Sequence, residues 1–224
     1  MEESTMEAGG GRSGCLSSYI DTGSVDSHRY YLARRTAFEM LRDRGYEISD
    51  SDLDLTLTDF RSLFGESPSP DRLSISASHA SLPNKKVLVV FCGKEVLKLK
   101  SVQGIYQEIL NEGLNELVLV MQGRITAQAR QHLSDNFPFK VQTFQITDLL
   151  VNITKHVLKP KHEILTPEEK HKLLKKYNLE EKQLPRMLET DAVARYYGLG
   201  RGQVVKVTYS SDVTESHVTY RCVM

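Results

Sequence analysis

The chain has 224 residues, of which 40% are hydrophobic and 26% charged. These are ordinary globular proportions, long enough for one large domain or two small ones and against wholesale disorder. Twenty-nine Lys+Arg balance 29 Asp+Glu, so no strong overall field draws the chain onto nucleic acid or an anionic membrane. No apolar run approaches 18 residues, no secretory signal pattern opens the chain, and no membrane partner is expected. Three widely separated cysteines, Cys15, Cys92 and Cys222, argue against a disulfide framework and fit a reducing compartment. The charge is uneven: residues 1–150 hold 16 basic and 20 acidic side chains, residues 151–224 hold 13 and 9. The split suggests two units of opposite sign, suited to contacts with other proteins.

In chain order, residues 1–26 are rich in Gly, Ser, Glu and Thr and read as a flexible extension. A helix is predicted from near Ser27, carried by Tyr31, Phe38 and Leu41 and closed at Gly45. Leu53, Leu57, Phe60 and Phe64 recur at helical spacing, with Ser51 and Asp54 as a capping box and Gly65 as a stop. Pro68 and Pro70 mark a linker. Leu73, Ile75 and Ala77 then alternate as a strand, and Val87–Phe91 reads as a strand buried on both faces. A helix over Ser101–Asn111, a strand at Leu117–Val120, a helix capped by Thr126 and running to about Asn136, and a strand at Val141–Phe144 complete the first unit. Strands alternating with helices imply crossovers and a mainly parallel sheet.

The texture changes after about residue 150. Thr166-Pro167-Glu168-Glu169 is a strong helix start, followed by Leu173, Leu174 and Tyr177. Asp191 or Thr190 caps a short helix through Tyr197, closed by Gly198. Val204, Val205 and Val207, then Val218, Tyr220 and Cys222, read as two strands joined by a turn near Ser210-Ser211-Asp212. The fold class is therefore an α/β N-terminal domain at 27–150 with a small α+β domain at 151–224.

The usual catalytic signatures are missing. The seven histidines are scattered without metal-ligand spacing. Gly198-Leu199-Gly200-Arg201-Gly202 follows a helix and precedes a strand, the reverse of a dinucleotide fingerprint, and reads as a cap and a turn. No nucleophile elbow or Cys–His pair has a recognisable context. A metal-dependent nuclease needs carboxylates at strand ends; Val87–Cys92 contains none, and Asp71 is the only acid near its partner strand. No metal, cofactor or catalytic residue is assigned.

The C-terminal blocks Leu184-Pro185-Arg186, Ala194-Arg195-Tyr196-Tyr197-Gly198 and Arg201-Gly202-Gln203-Val204-Val205-Lys206, ending in Thr219-Tyr220-Arg221, resemble the fifth subunit of nuclear DNA-dependent RNA polymerases. The C-terminal part of that subunit is similar to its archaeal polymerase counterpart, which lacks the N-terminal domain. Arg42-Asp43-Arg44-Gly45-Tyr46 and the Leu53/Phe60/Phe64 segment match as well, so the resemblance covers about residues 27–224. It implies an N-terminal jaw domain with a nuclease-like sheet lacking a catalytic site, and a C-terminal assembly domain. The implied role is non-catalytic and nuclear: packing on the largest subunit, contacting other subunits, and lining the lower jaw near downstream DNA, without homo-oligomers. Family geometry turns Gly123–Arg130 toward that DNA, with Arg124, Thr126, Ala127 and Arg130 as contact candidates. Where the family often has Thr-Pro, this chain has Thr126-Ala127. An apolar surface at Leu184, Pro185, Arg186, Tyr196, Tyr197 and Val205 is expected to meet the largest subunit, although the same residues also suit the small domain's own core. Glu215-Ser216-His217 and the Ser27–Arg35 start are similar to the plant variant dedicated to RNA polymerase V, which serves non-coding transcription in RNA-directed DNA methylation. The alternatives are the common subunit of polymerases I, II and III and, from another class, a stand-alone nuclease-like enzyme.

Overall fold

The computed structural model describes residues 23–110, 112–210 and 216–224. Helix α1 (Val25–Asp43) begins earlier than the sequence pattern predicts. The Ser24 hydroxyl accepts from the amides of Asp26 and Ser27, while Ser27 itself is buried and donates back to the Ser24 carbonyl. At the other end Gly45, with φ +87°, donates to the Arg42 carbonyl and Tyr46 donates to the Leu41 carbonyl. This is the Schellman arrangement that a left-handed residue makes possible. The single helix expected over residues 51–64 is instead two, α2 (Asp50–Leu53) and α3 (Leu57–Phe64). Thr56 restarts the chain by capping the Asp59 amide and donating to its carboxylate, which outcompetes continuation of the first helix.

Leu73 lies in a 3-10 turn, and strand β1 runs over Ile75–Ser78. It pairs antiparallel with β2 (Lys86–Phe91). Helix α4 (Leu99–Ile109) then crosses to β3 (Glu116–Met121), and α5 (Ala127–Asp135) crosses to β4 (Lys140–Gln145). The sheet order is β1-β2-β3-β4, with β2, β3 and β4 parallel. Every residue of β3 is buried. Strand β2 is not: Val87, Val89 and Phe91 are interior, but Leu88 and Val90 are half-buried. The physical difference is coverage. One face packs on α1 and α3 through Phe38, Leu41 and Phe60. The other packs on α4 and α5 through Val102, Ile109 and Leu133, and that layer seals the centre of the sheet better than its flank.

The second sheet has the order β5-β7-β8-β6. Its strands are β5 (Lys161–Ile164), β6 (Arg186–Met187), β7 (Val204–Tyr209) and β8 (His217–Val223). Helix α6 (Pro167–Tyr177) starts on the complete Thr166/Glu169 capping box and ends on Asn178 at φ +50°. Helix α7 (Ala192–Tyr196) is capped by Asp191, whose carboxylate accepts from the amides of Val193 and Ala194. Leu173 and Leu184 pack on one face of this sheet, Ala194 and Leu199 on the other. The turn residues Ser211 and Asp212 lie outside the described residues.

A buried polar network ties the two sheets together. Arg44, just after α1, is 4% exposed at its side chain and pairs at 2.7 Å with Glu116, 8% exposed, at the start of β3. The rest of its guanidinium donates to the carbonyls of Arg195 and Tyr196, 2.8 Å each. Tyr46 donates to the second Glu116 oxygen at 3.0 Å. The Tyr196 hydroxyl donates to Asp43 at 2.8 Å and accepts from Asn152 at 3.2 Å. Asn152 also donates to buried Glu39, which pairs with Lys155. Burial alone would raise the Glu39 carboxyl, yet the hydrogen bonds from Lys155 and Asn152, with the charges of Lys155 and Arg35, carry it below its ordinary value.

Two measurements test this network. Arg44→Ala leaves Glu116 buried without its counter-charge and is expected to cost about 3–5 kcal/mol in urea unfolding. A carboxyl whose folded pKa is depressed contributes stability above its unfolded pKa, lost as pH falls through the folded value. Wild-type stability is therefore expected to fall on acidification below about pH 4.5, and Glu39→Gln to flatten that acid limb while lowering stability at neutral pH.

Candidate functional site

In parallel sheets the carboxyl ends of the strands are where loops gather and ligands are met. Here the loop after β2, Cys92–Lys98, lies against the loop after β3, Gln122–Thr126. Leu97 donates to the Arg124 carbonyl at 2.8 Å and accepts from the Thr126 amide at 3.2 Å, and Leu97 and Ile125 form a parallel bridge. A Cβ on Gly123 would sit 2.1 Å from the Glu95 carbonyl oxygen and 2.7 Å from that of Lys94. The absence of a side chain at 123 is what allows the two loops to touch.

On this platform Thr126 caps α5, its hydroxyl accepting from the Ala129 amide at 3.3 Å. Arg124, Ala127 and Arg130 are exposed and Thr126 is half-buried. The four residues therefore share one surface beside the start of α5, where free amides and guanidinium groups suit a phosphate backbone. Lys98 and Lys100 are also exposed, immediately after Leu97. Sequence reasoning passed over them because they stand 26 and 24 residues before Arg124, and only the loop-to-loop contact brings them to the same edge. Lys94 is spoken for by Asp26 at 2.6 Å.

The same edge carries no acid cluster. Among the described residues no group of three or more His, Cys, Asp or Glu is placed to hold a metal ion. Glu116, the buried carboxylate of the sheet, sits at the opposite end of β3 and is consumed by Arg44 and Tyr46. Cys92, at the end of β2, is pushed up to about 11 by burial and by the charge of Asp71, so its thiol stays protonated and unreactive at neutral pH.

The expected apolar surface of the C-terminal unit fares differently. Leu184, Tyr196 and Val205 are 6%, 3% and 1% exposed. Leu184 lies under α6, Val205 under α7, and Tyr196 in the core of the N-terminal unit with its hydroxyl tied to Asp43. They form no exposed surface: Leu184 and Val205 belong to the small domain's own core, because a sheet this small needs its few large apolar residues inside, whereas Tyr196 is taken into the core of the N-terminal unit. Tyr197 is half-buried, and only Pro185 and Arg186 of the six stand exposed. Ser216 and His217 are exposed at the start of β8, the His217 ring 6.4 Å from that of Tyr209. Glu215 lies outside the described residues. The signal that sequence reasoning missed is the stretch 151–158, where Val151, Val157 and Leu158 are 71%, 96% and 84% exposed.

Residues 24–109 match the family model described as RNA polymerase Rpb5, N-terminal domain, and residues 151–223 match RNA polymerase Rpb5, C-terminal domain. The chain belongs to the RNA polymerase Rpb5 family. It is thus a subunit of a DNA-directed RNA polymerase rather than an enzyme on its own. The DNA-directed RNA polymerase V subunit 5A of Arabidopsis thaliana is 56% identical to it over 210 residues, covering 93% of this chain and 94% of the relative. The Arabidopsis DNA-directed RNA polymerases IV and V subunit 5B is 54% identical over 205 residues, 91% and 94% of the two chains. The Caenorhabditis briggsae subunit RPABC1 of polymerases I, II and III is 35% identical over 206 residues, 89% of this chain and 98% of that one. The mixed sheet and the separate small sheet described above are the two domains of this Rpb5 chain.

The Gly123 contact is directly testable. Gly123→Ala forces the Lys94–Glu95 backbone away from the turn, and overpacking of this kind costs about 1–3 kcal/mol. We expect that loss in urea unfolding of the purified chain, together with faster proteolysis within residues 93–98.

Proposed function

We propose that the chain is the fifth subunit of a plant-type RNA polymerase V, working in the nucleus as a non-catalytic part of that enzyme. The observation that carries the reading is the gap in identity: 56% and 54% to two plant subunits named for polymerase V or for IV and V, against 35% to a subunit named for polymerases I, II and III. In this reading the C-terminal unit, residues 151–224, docks on the largest subunit. The N-terminal unit, residues 27–150, forms part of the lower jaw, with Arg124, Thr126, Ala127 and Arg130 turned toward downstream DNA. The rigid coupling through Arg44 supports this division, because a jaw has to be held at a set angle to the surface that anchors it. Ser216 and His217, exposed on the hairpin that ends the chain, stand with Glu215 as the residues that separate this form from the common subunit. The biological output is non-coding transcription supporting RNA-directed DNA methylation.

Affinity purification of the tagged chain from plant nuclei, with identification of the co-purifying largest subunit, tests the proposal. The polymerase V largest subunit is expected to predominate at least tenfold over those of polymerases I, II and III. Comparable recovery of all of them would make the chain a common subunit instead.

A further inference from the structure

A hydroxyl residue is followed by proline three times in the chain, at Ser67-Pro68, Ser69-Pro70 and Thr166-Pro167. Each pair has a restricted shape, because a proline ring forces the residue before it into the extended region. A protein kinase takes its acceptor hydroxyl from an extended segment, and a proline after the acceptor supplies a rigid ring without an N–H. One class of kinases selecting this pair also reads a cation three residues after the acceptor. The three pairs differ in what surrounds the hydroxyl.

Thr166 is spent on the capping box of α6, where its hydroxyl accepts from the Glu169 amide, and the residue three places on is that same acid. Ser67 is exposed, but Pro68 is buried and the residue three places on is Pro70. Ser69 is exposed, Pro70 is half-buried, and the residue three places on is the exposed Arg72. The Ser69 backbone is extended, at φ −72° and ψ 126°, and its side chain makes no cap hydrogen bond to the 3-10 turn that follows.

Nearby serines without a following proline have engaged hydroxyls. Ser62 donates to the Thr58 carbonyl at 3.0 Å, and Ser74 to that of Asp71 at 3.3 Å. Arg72 is lightly held: it donates to the Leu63 carbonyl at 3.3 Å and lies 5.7 Å from the centroid of the Phe64 ring. Its exposed charge can therefore meet an acidic partner. The turn after Ser69 is closed by the Arg72 amide on the Ser69 carbonyl at 3.2 Å, and so short an element opens locally at little cost.

We propose that Ser69 is a phosphorylation site for a proline-directed protein kinase that reads Pro70 and Arg72. The Ser69 Oγ attacks the γ-phosphorus of ATP. The new O–P bond forms as the bond to the β–γ bridging oxygen breaks, ADP leaves, and the hydroxyl proton passes to the kinase's catalytic carboxylate. The product carries about two added negative charges. They stand near the end of β2, since the Pro70 ring lies 3.8 Å from the position of a Cβ on Gly93, in the loop that meets Gly123. A phosphate there lowers the positive potential of the edge proposed to face DNA; the acceptor assignment itself does not depend on that reading.

The test treats the folded full-length chain with a cyclin-dependent kinase, its cyclin and Mg·ATP, and places the phosphate by mass spectrometry. The chain purified from nuclei is mapped in parallel, and phosphate is expected on Ser69 in both. Ser69→Ala is expected to lower incorporation at least tenfold, and Ser67→Ala to leave it within twofold. Arg72→Ala is expected to slow the initial rate several-fold and Arg72→Lys to restore it, with thermal melting showing that each variant is folded. Ser69→Ala, which removes one exposed oxygen, carries the test alone if Arg72→Ala melts early. A folded Arg72→Ala chain labelled within twofold of the wild-type rate would overturn the part assigned to that cation. Incorporation that survives Ser69→Ala, that appears only after the chain is unfolded, or that is missing from Ser69 of the nuclear protein would overturn the inference and leave the subunit assignment intact.

Discussion

The guanidinium of Arg44 is the point on which the two halves of the molecule depend. It closes the end of α1, neutralises the carboxylate that opens β3, and holds the two carbonyls of Arg195 and Tyr196 at the end of α7. Each partner is nearly without water, so the contact is stringent: a buried charge must find all of its counterparts at once or not be buried at all. A hydrophobic interface could slide by a few tenths of an ångström, whereas a fork-shaped cation with three fixed acceptors cannot. The angle between the two sheets is thereby set by geometry rather than by apolar adhesion alone.

The neighbouring contacts extend the same logic. Tyr196 places its ring among the N-terminal core residues and its hydroxyl between Asp43 and Asn152. Arg195 lies over the Phe144 ring at 4.5 Å and donates to the Thr143 carbonyl of the edge strand β4. An open sheet edge is a hazard for aggregation; here α7 covers part of it. The short helix thus serves three surfaces at once: the core of the small sheet through Ala194, the edge of the large sheet through Arg195, and the α1 side through Tyr196. That economy explains why residues which look like a docking surface in the sequence are unavailable for one.

A division of labour follows. The C-terminal edge of the large sheet, built from two loops that meet at Gly123, presents Arg124, Arg130, Lys98 and Lys100 beside the exposed Glu95, an excess of cations that suits contact with a phosphate backbone. The far side of the 151–159 segment presents aliphatics and suits a protein. The network around Arg44 and Glu39 lies between these surfaces and makes them parts of one rigid object. In the proposed reading, holding these two surfaces in fixed relation is what a non-catalytic polymerase subunit contributes.

Much of this was legible from the residues. The capping signals at Thr126, Thr166 and Asp191 act through hydrogen bonds to amides two or three residues away, so sequence alone specifies them. The alternation of buried strands with helices specified a mainly parallel sheet, because crossovers admit few other arrangements. The family blocks near residues 184–206 identified the chain. Strands β5 and β6 were not legible: at four and two residues, without alternation, they exist only because β7 and β8 offer them partners. The break at Thr56 was missed because helical spacing across it is nearly continuous, and a local cap decided against it. Above all, a sequence cannot say which apolar residues a small domain keeps for its own core. Burial is a property of the whole packing, so only the tertiary structure drew Tyr196 inward to Asp43 and left Val157 and Leu158 facing out.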